Sequence, residues 1–76
     1  MKYGSPYRVS VAAHHVPPRW DIPAGEREVF ERSEEAARLH GIRSAHRDAG
    51  VPPLRSLMRL SWRYVTAVRE YDYEAL

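Results

Sequence analysis

Seventy-six residues without a cysteine exclude a disulfide framework, a thiolate metal site and a cysteine nucleophile, and allow one small domain that buries only about 60% of the surface its unfolded chain exposes. An apolar content of 43% excludes a typical disordered chain, and no stretch approaches the ~20 apolar residues of a membrane span. The net charge of +2 is too small to name a partner. The N-terminal residues hold one lysine and no apolar run of leader type, so the expected location is the cytoplasm. All the basic residues except Lys2 are arginine, which suits either GC-rich coding or bidentate contacts to carboxylate and phosphate. Charge is striped along the chain. Residues 1–25 carry +2, residues 26–40 carry −2, residues 41–63 carry +4 and residues 64–76 carry −2.

Tyr7 to His15 alternates, with Tyr7, Val9, Val11 and Ala13 on one face and Arg8, Ser10 and Ala12 on the other. Period two with β-branched residues predicts a half-buried strand over 7–13. One strand leaves its backbone donors and acceptors unpaired. It must pair with its own copy, with a partner's sheet edge, or with a second strand of this chain. Pro17, Pro18 and Pro23 favour an extended path, so residues 1–25 read as a proline-rich arm containing one strand. Trp20 on that arm is expected to dock back on the core, or else to anchor a partner.

From Glu26 the period lengthens. Val29, Phe30, Ser33, Ala36, Ala37 and His40 share one narrow arc at the helical repeat, and glutamates dominate the early turns. This predicts a helix over 26–40 that ends on Gly41 in a left-handed cap. The same residues allow a second arrangement, with Glu26–Glu31 as a strand and Ser33 capping a shorter helix. Ile42–Ala49 is read as a short helical turn at best, closed by Gly50. After Val51-Pro52-Pro53, the residues Leu54, Leu57, Met58, Leu60, Ser61, Tyr64, Val65, Val68 and Tyr71 fall on one broad arc. They predict a second helix over 54–71, although the residue types of Tyr64–Tyr73 would also suit a strand. The expected fold is therefore mostly α, with α+β as the alternative. It is one domain over 1–76, with amphipathic helices at 26–40 and 54–71 and a strand at 7–13.

Four histidines, His14, His15, His40 and His46, show no i, i+4 spacing, and neither a metal nor a cofactor is expected. No phosphate loop or nucleophile elbow is present, so catalysis is not expected either. Arg55, Arg59 and Arg63 line one ridge at i, i+4, i+8, and Arg43 and Arg47 precede them at the same spacing. Such a stripe is a solvated face, a contact for acidic protein, or a track for phosphates.

Ser33-Glu34-Glu35-Ala36-Ala37 followed by Gly41-Ile42 resembles the first helix and turn of a helix-turn-helix module. In that family Ala37 and Gly41 would fill the small positions where the helices cross. The chain departs from it at Arg47, where the recognition helix needs an apolar residue, and at Gly50, which cuts that helix short. The Tyr7–Val11 strand followed by helices resembles a ribbon-helix-helix repressor, in which Arg8, Ser10 and Ala12 would face DNA. Here the proline-rich residues 16–25 intervene before the first helix. Neither resemblance extends to the whole motif, and no family is assigned.

The sequence thus leads to a small, non-enzymatic accessory or regulatory protein. The second helix carries more apolar surface than one narrow helix and one strand can cover, and an uncovered apolar face marks an interface. The expected partner is another protein or a second copy of the chain. It would be bound through Leu60, Trp62, Tyr64 and Tyr71, with Arg55, Arg59 and Arg63 at the rim. The alternative is a DNA-binding regulator that uses Arg43, Arg47, Arg55 and Arg59.

Overall fold

The computed structural model describes residues 4–70. The chain forms β1 (Ser5–Val11), β2 (His14–Val16), β3 (Trp20–Ile22), β4 (Gly25–Glu31), α1 (Glu34–Asp48), α2 (Arg55–Ser61), a 3-10 turn (Trp62–Tyr64) and β5 (Val65–Arg69). β1 is the centre of a three-stranded sheet in the order β4-β1-β5, and both neighbours run antiparallel to it. β2 and β3 pair in a separate hairpin whose turn contains a cis Pro17–Pro18 peptide. α1 lies across one face of the three-stranded sheet and packs against all three strands.

The alternation of β1 sets the layering. Tyr7, Val9 and Val11 point to α1 and are buried, as are Val29 of β4 and Val65 and Ala67 of β5 on the same face. Ala37, Ile42 and Ala45 of α1 close this core, and Val16 and Ile22 extend it under the hairpin. The opposite sheet face is polar at its centre, where Arg8 pairs with Glu26 at 3.2 Å and Glu70 at 3.0 Å. Phe30 and Val68 stand exposed on that outer face.

The mostly α expectation is overturned. Of the described residues 37% are helical and 37% are strand, so the fold is α+β. One reason moves the start of the first expected helix and shortens the second. An alternating segment that can pair with β1 satisfies its backbone there and still buries one face. Residues 26–31 pair with Ser5–Ser10 as β4 instead of opening a helix, and Ser33 caps α1, its hydroxyl accepting from the Ala36 amide at 3.1 Å. Residues 65–69 pair with Tyr7–Val11 as β5, so the helix expected over 54–71 is reduced to Arg55–Ser61. The second-strand solution for β1 is the one adopted, and it adopts two. Much of the apolar surplus assigned to a long second helix is absorbed with it, since Val65 and Ala67 face the sheet's own core.

Gly41 does not end a helix. It lies inside α1, where a Cβ would collide with the side chain of Val9, so its bareness serves the close approach of helix and sheet. The left-handed residue is Gly50, at φ 78°. Its amide donates to the Arg47 carbonyl at 3.1 Å, and the Val51 amide donates to the His46 carbonyl at 2.9 Å. That pair of bonds is a Schellman closure, and it lets α1 run through Ile42–Asp48, where only a short turn was expected.

Candidate functional site

α1 and α2 pack on each other and leave a groove between them. One end is a cavity of about 670 Å3 bordered by Arg43, His46, Arg47, Val51, Pro53 and Met58. The other is a cavity of about 470 Å3 bordered by Glu35, Leu39, Arg55, Arg59 and Trp62. Arg43 and Met58 border both, which joins the two into one trough. Its floor is apolar, from Leu39, Val51, Met58 and Trp62, and its rim is cationic.

The rim follows from helical spacing. Arg43 and Arg47 stand four apart on α1, and Arg55 and Arg59 stand four apart on α2, so each pair occupies one ridge. The packing of the two helices brings both ridges to the trough. Among the described residues, Arg43, Arg55 and Arg59 have no carboxylate within ion-pair distance, whereas Arg8 and Arg27 do. Among the described residues, Arg47 donates to Ser44 Oγ, at 3.3 Å. Glu35 is a single opposing charge, at the α1 N-terminal end of the trough.

Two polar contacts hold the α2 wall. Arg38 of α1 donates to the carbonyls of Trp62 at 2.7 Å and Val65 at 3.0 Å, and its guanidinium lies 3.8 Å from the Trp62 ring centroid. This covers one face of the indole and fixes it as part of the floor. The second contact is a histidine–serine–histidine chain. Ser61 Oγ lies 2.7 Å from His14 Nε2 and 2.6 Å from His46 Nε2, and His14 Nδ1 lies 2.7 Å from the Ala12 carbonyl. The His14 ring stacks on Tyr64, with centroids 4.2 Å apart.

Proton bookkeeping gives this chain a direction. A carbonyl only accepts, so His14 carries its proton on Nδ1 and its Nε2 is bare when neutral. The Ser61 hydroxyl then donates to His14, and His46 Nε2–H donates to Ser61 Oγ. His46 Nδ1 is left bare, buried and without a partner. His46 is 2% exposed and Ser61 is 1% exposed. Burial, and after it the neighbouring His14, push the His46 pKa below its ordinary 6.5. Protonating His46 would leave a buried donor at Nδ1 unsatisfied, a cost of about 1–3 kcal/mol before the charge itself is counted. Ser61 is sealed from solvent, and its hydroxyl ties α2 to β2 and α1.

The residues expected to carry function divide. Arg43, Arg47, Arg55 and Arg59 come together at the groove, and Trp62 joins its floor. Leu60 is exposed outside the groove lining, Tyr64 is turned onto His14, and Arg63 sits 6.0 Å from the Tyr64 ring. The apolar arc that would have united Leu60, Trp62 and Tyr64 ends at Ser61, where the helix tightens and then becomes strand. Tyr71 lies outside the described residues. Sequence reasoning missed His14, His46 and Ser61. The available signal was Ser61 itself, a hydroxyl on an otherwise apolar arc.

Among the described residues, no group of three or more histidine or carboxylate side chains is placed to hold a metal ion. No helix among them is long and apolar enough to cross a membrane. No protein-family model matches the chain, and neither curated proteins nor solved structures give a match.

Proposed function

We propose that this protein is a small binding module whose α1–α2 groove takes an acidic, apolar-containing segment of a partner protein. The observation that carries the reading is the convergence of Arg43, Arg47, Arg55 and Arg59 around an apolar floor. An apolar trough with a charged rim is the usual anatomy of a protein interface. The trough desolvates a Leu, Met or aromatic side chain, and arginines without carboxylate partners among the described residues answer Asp or Glu beside it.

Phosphate tracking alone would draw nothing from the apolar floor. Base stacking would compete with Arg38, which already covers one face of Trp62. These two points favour a polypeptide over nucleic acid.

Fluorescence anisotropy with a labelled synthetic peptide that alternates Glu with Leu and Phe tests the proposal. The wild-type chain binds it saturably, and an Arg43→Ala/Arg59→Ala variant binds roughly 5- to 10-fold more weakly, as expected for the loss of two rim ion pairs. Replacing Glu by Lys in the peptide abolishes binding. Preference for a DNA duplex over the peptide at matched ionic strength, with a steep salt dependence, would assign the groove to nucleic acid instead.

A further inference from the structure

We propose that the α2 wall of this groove is a pH-released strap, tied down by the Ser61 hydroxyl between two imidazoles and freed when the buried His46 ring takes up a proton. The inference rests on the groove reading for its consequence, namely that the binding trough exists only while the tie is neutral.

The tie has one hydroxyl proton to share between two rings. In the neutral chain every proton has an acceptor: His46 Nε2–H meets Ser61 Oγ, Ser61 O–H meets His14 Nε2, and His14 Nδ1–H meets the Ala12 carbonyl. Place a proton on His46 and both Ser61 bonds can persist, but Nδ1, buried and without a partner, becomes a donor with nothing to bind. That penalty is relieved when α2 lifts away and water reaches the His46 ring.

The surroundings of the tie offer no relief. Arg43 and Arg47 border the same cavity from α1, and Arg55 and Arg59 border the groove from α2. β2 contributes His14, and the 3-10 turn contributes Tyr64, stacked on His14. Asp48 of α1 is turned to Arg27, and the neighbouring His15 on β2 pairs with Asp21. Among the described residues no carboxylate lies within ion-pair distance of His14 or His46 to stabilise an added proton. Meanwhile α2 has little apolar anchorage of its own. Ser61 is its one buried residue, Leu57 and Met58 are half-buried, and the other four positions are exposed. Val51-Pro52-Pro53-Leu54 on one side and Trp62 on the other give the strap its two ends.

Amide hydrogen exchange of the free chain, read by NMR and corrected for intrinsic rates, tests this at pH 7.5 and pH 5.0. Protection across Arg55–Ser61 is expected to fall about tenfold or more on acidification, while protection in β1 and the middle of α1 holds. A His14→Gln/His46→Gln variant, which can still hydrogen-bond Ser61 but cannot titrate there, is expected to lose that difference. Ser61→Ala provides a second arm if the double variant fails to fold, with α2 weakly protected at both pH values. The inference is overturned if α2 protection does not change with pH, or if it falls only in step with β1. It is also overturned if Ser61→Ala keeps the wild-type pH response. No ligand enters the measurement, so its outcome is independent of what the groove binds.

Discussion

The sheet with α1 and the α2 wall differ in how much of their hold is apolar. The first is a dry apolar layer in which Val9 and Ile42 are almost wholly buried and Gly41 lets helix and sheet meet without an intervening Cβ. The second packs only half-buried Leu57, Met58 and Trp62 against that core and adds the hydrogen bonds to Ser61 and the Arg38 contact with Trp62. Apolar packing is indifferent to proton concentration, whereas a chain of two imidazoles and one hydroxyl is not. The contrast teaches that in a chain this small the rigid part and the conditional part can be adjacent, separated by which residues face the interior.

The comparison is broken most severely from the apolar side. Ile42→Ala is expected to lower unfolding free energy by about 2–5 kcal/mol through lost burial and a residual cavity. Gly41→Ala is expected to lower it by about 1–3 kcal/mol, because the new methyl group enters the space of Val9. Urea denaturation measures both, at a pH where the histidines are neutral. A Gly41→Ala chain as stable as wild type would mean that α1 does not sit where the sheet places it.

Acid sharpens the comparison from the other side. The folded pKa of His46 lies below its ordinary 6.5, first from burial and then from His14. The unfolded chain therefore takes up this proton more readily than the folded one. Its contribution to stability is complete above about pH 6.5 and is lost as pH falls toward the lowered value. Urea midpoints are expected to decline from pH 7.5 to pH 5.0, and His46→Gln to flatten that decline. A stability that rises over this interval would reverse the assignment.

The caps of α1 give the smallest effects. Gly50→Ala places a Cβ at φ 78° and is expected to cost about 1–2 kcal/mol. Ser33→Ala removes the bond to Ala36 and is expected to cost about 1 kcal/mol. Thermal unfolding by circular dichroism reads both, and both are expected to weaken α1 without altering the pH response of α2.

How much of this was legible before the structure follows from the same division. The β1 alternation was plain in Tyr7, Val9 and Val11, because one apolar face against one polar face is a local pattern. The strand readings of Glu26–Glu31 and of the chain after Tyr64 were also available, but helical spacing fits those residues as well. What decides between them is β1, which is distant in sequence and offers two edges to pair. Gly41 was legible as a glycine with a reason, yet its reason is contact with Val9 and not a helix end. The four groove arginines were legible as two i, i+4 pairs. That they border one trough depends on the Schellman turn at Gly50, which folds α2 back beside α1. The Ser61 tie joins residues 14, 46 and 61, and no local pattern announces such a meeting.

The groove itself is the central claim, and mapping tests it most directly. Titrating the acidic Glu/Leu/Phe peptide into isotope-labelled protein at pH 7.5 should shift the resonances of Leu39, Arg43, Arg47, Met58, Arg59 and Trp62 in one saturable step. The resonances of Arg8, Phe30 and Val68 on the outer sheet face should stay in place. Shifts confined to that outer face, with the α1–α2 residues unmoved, would contradict the account.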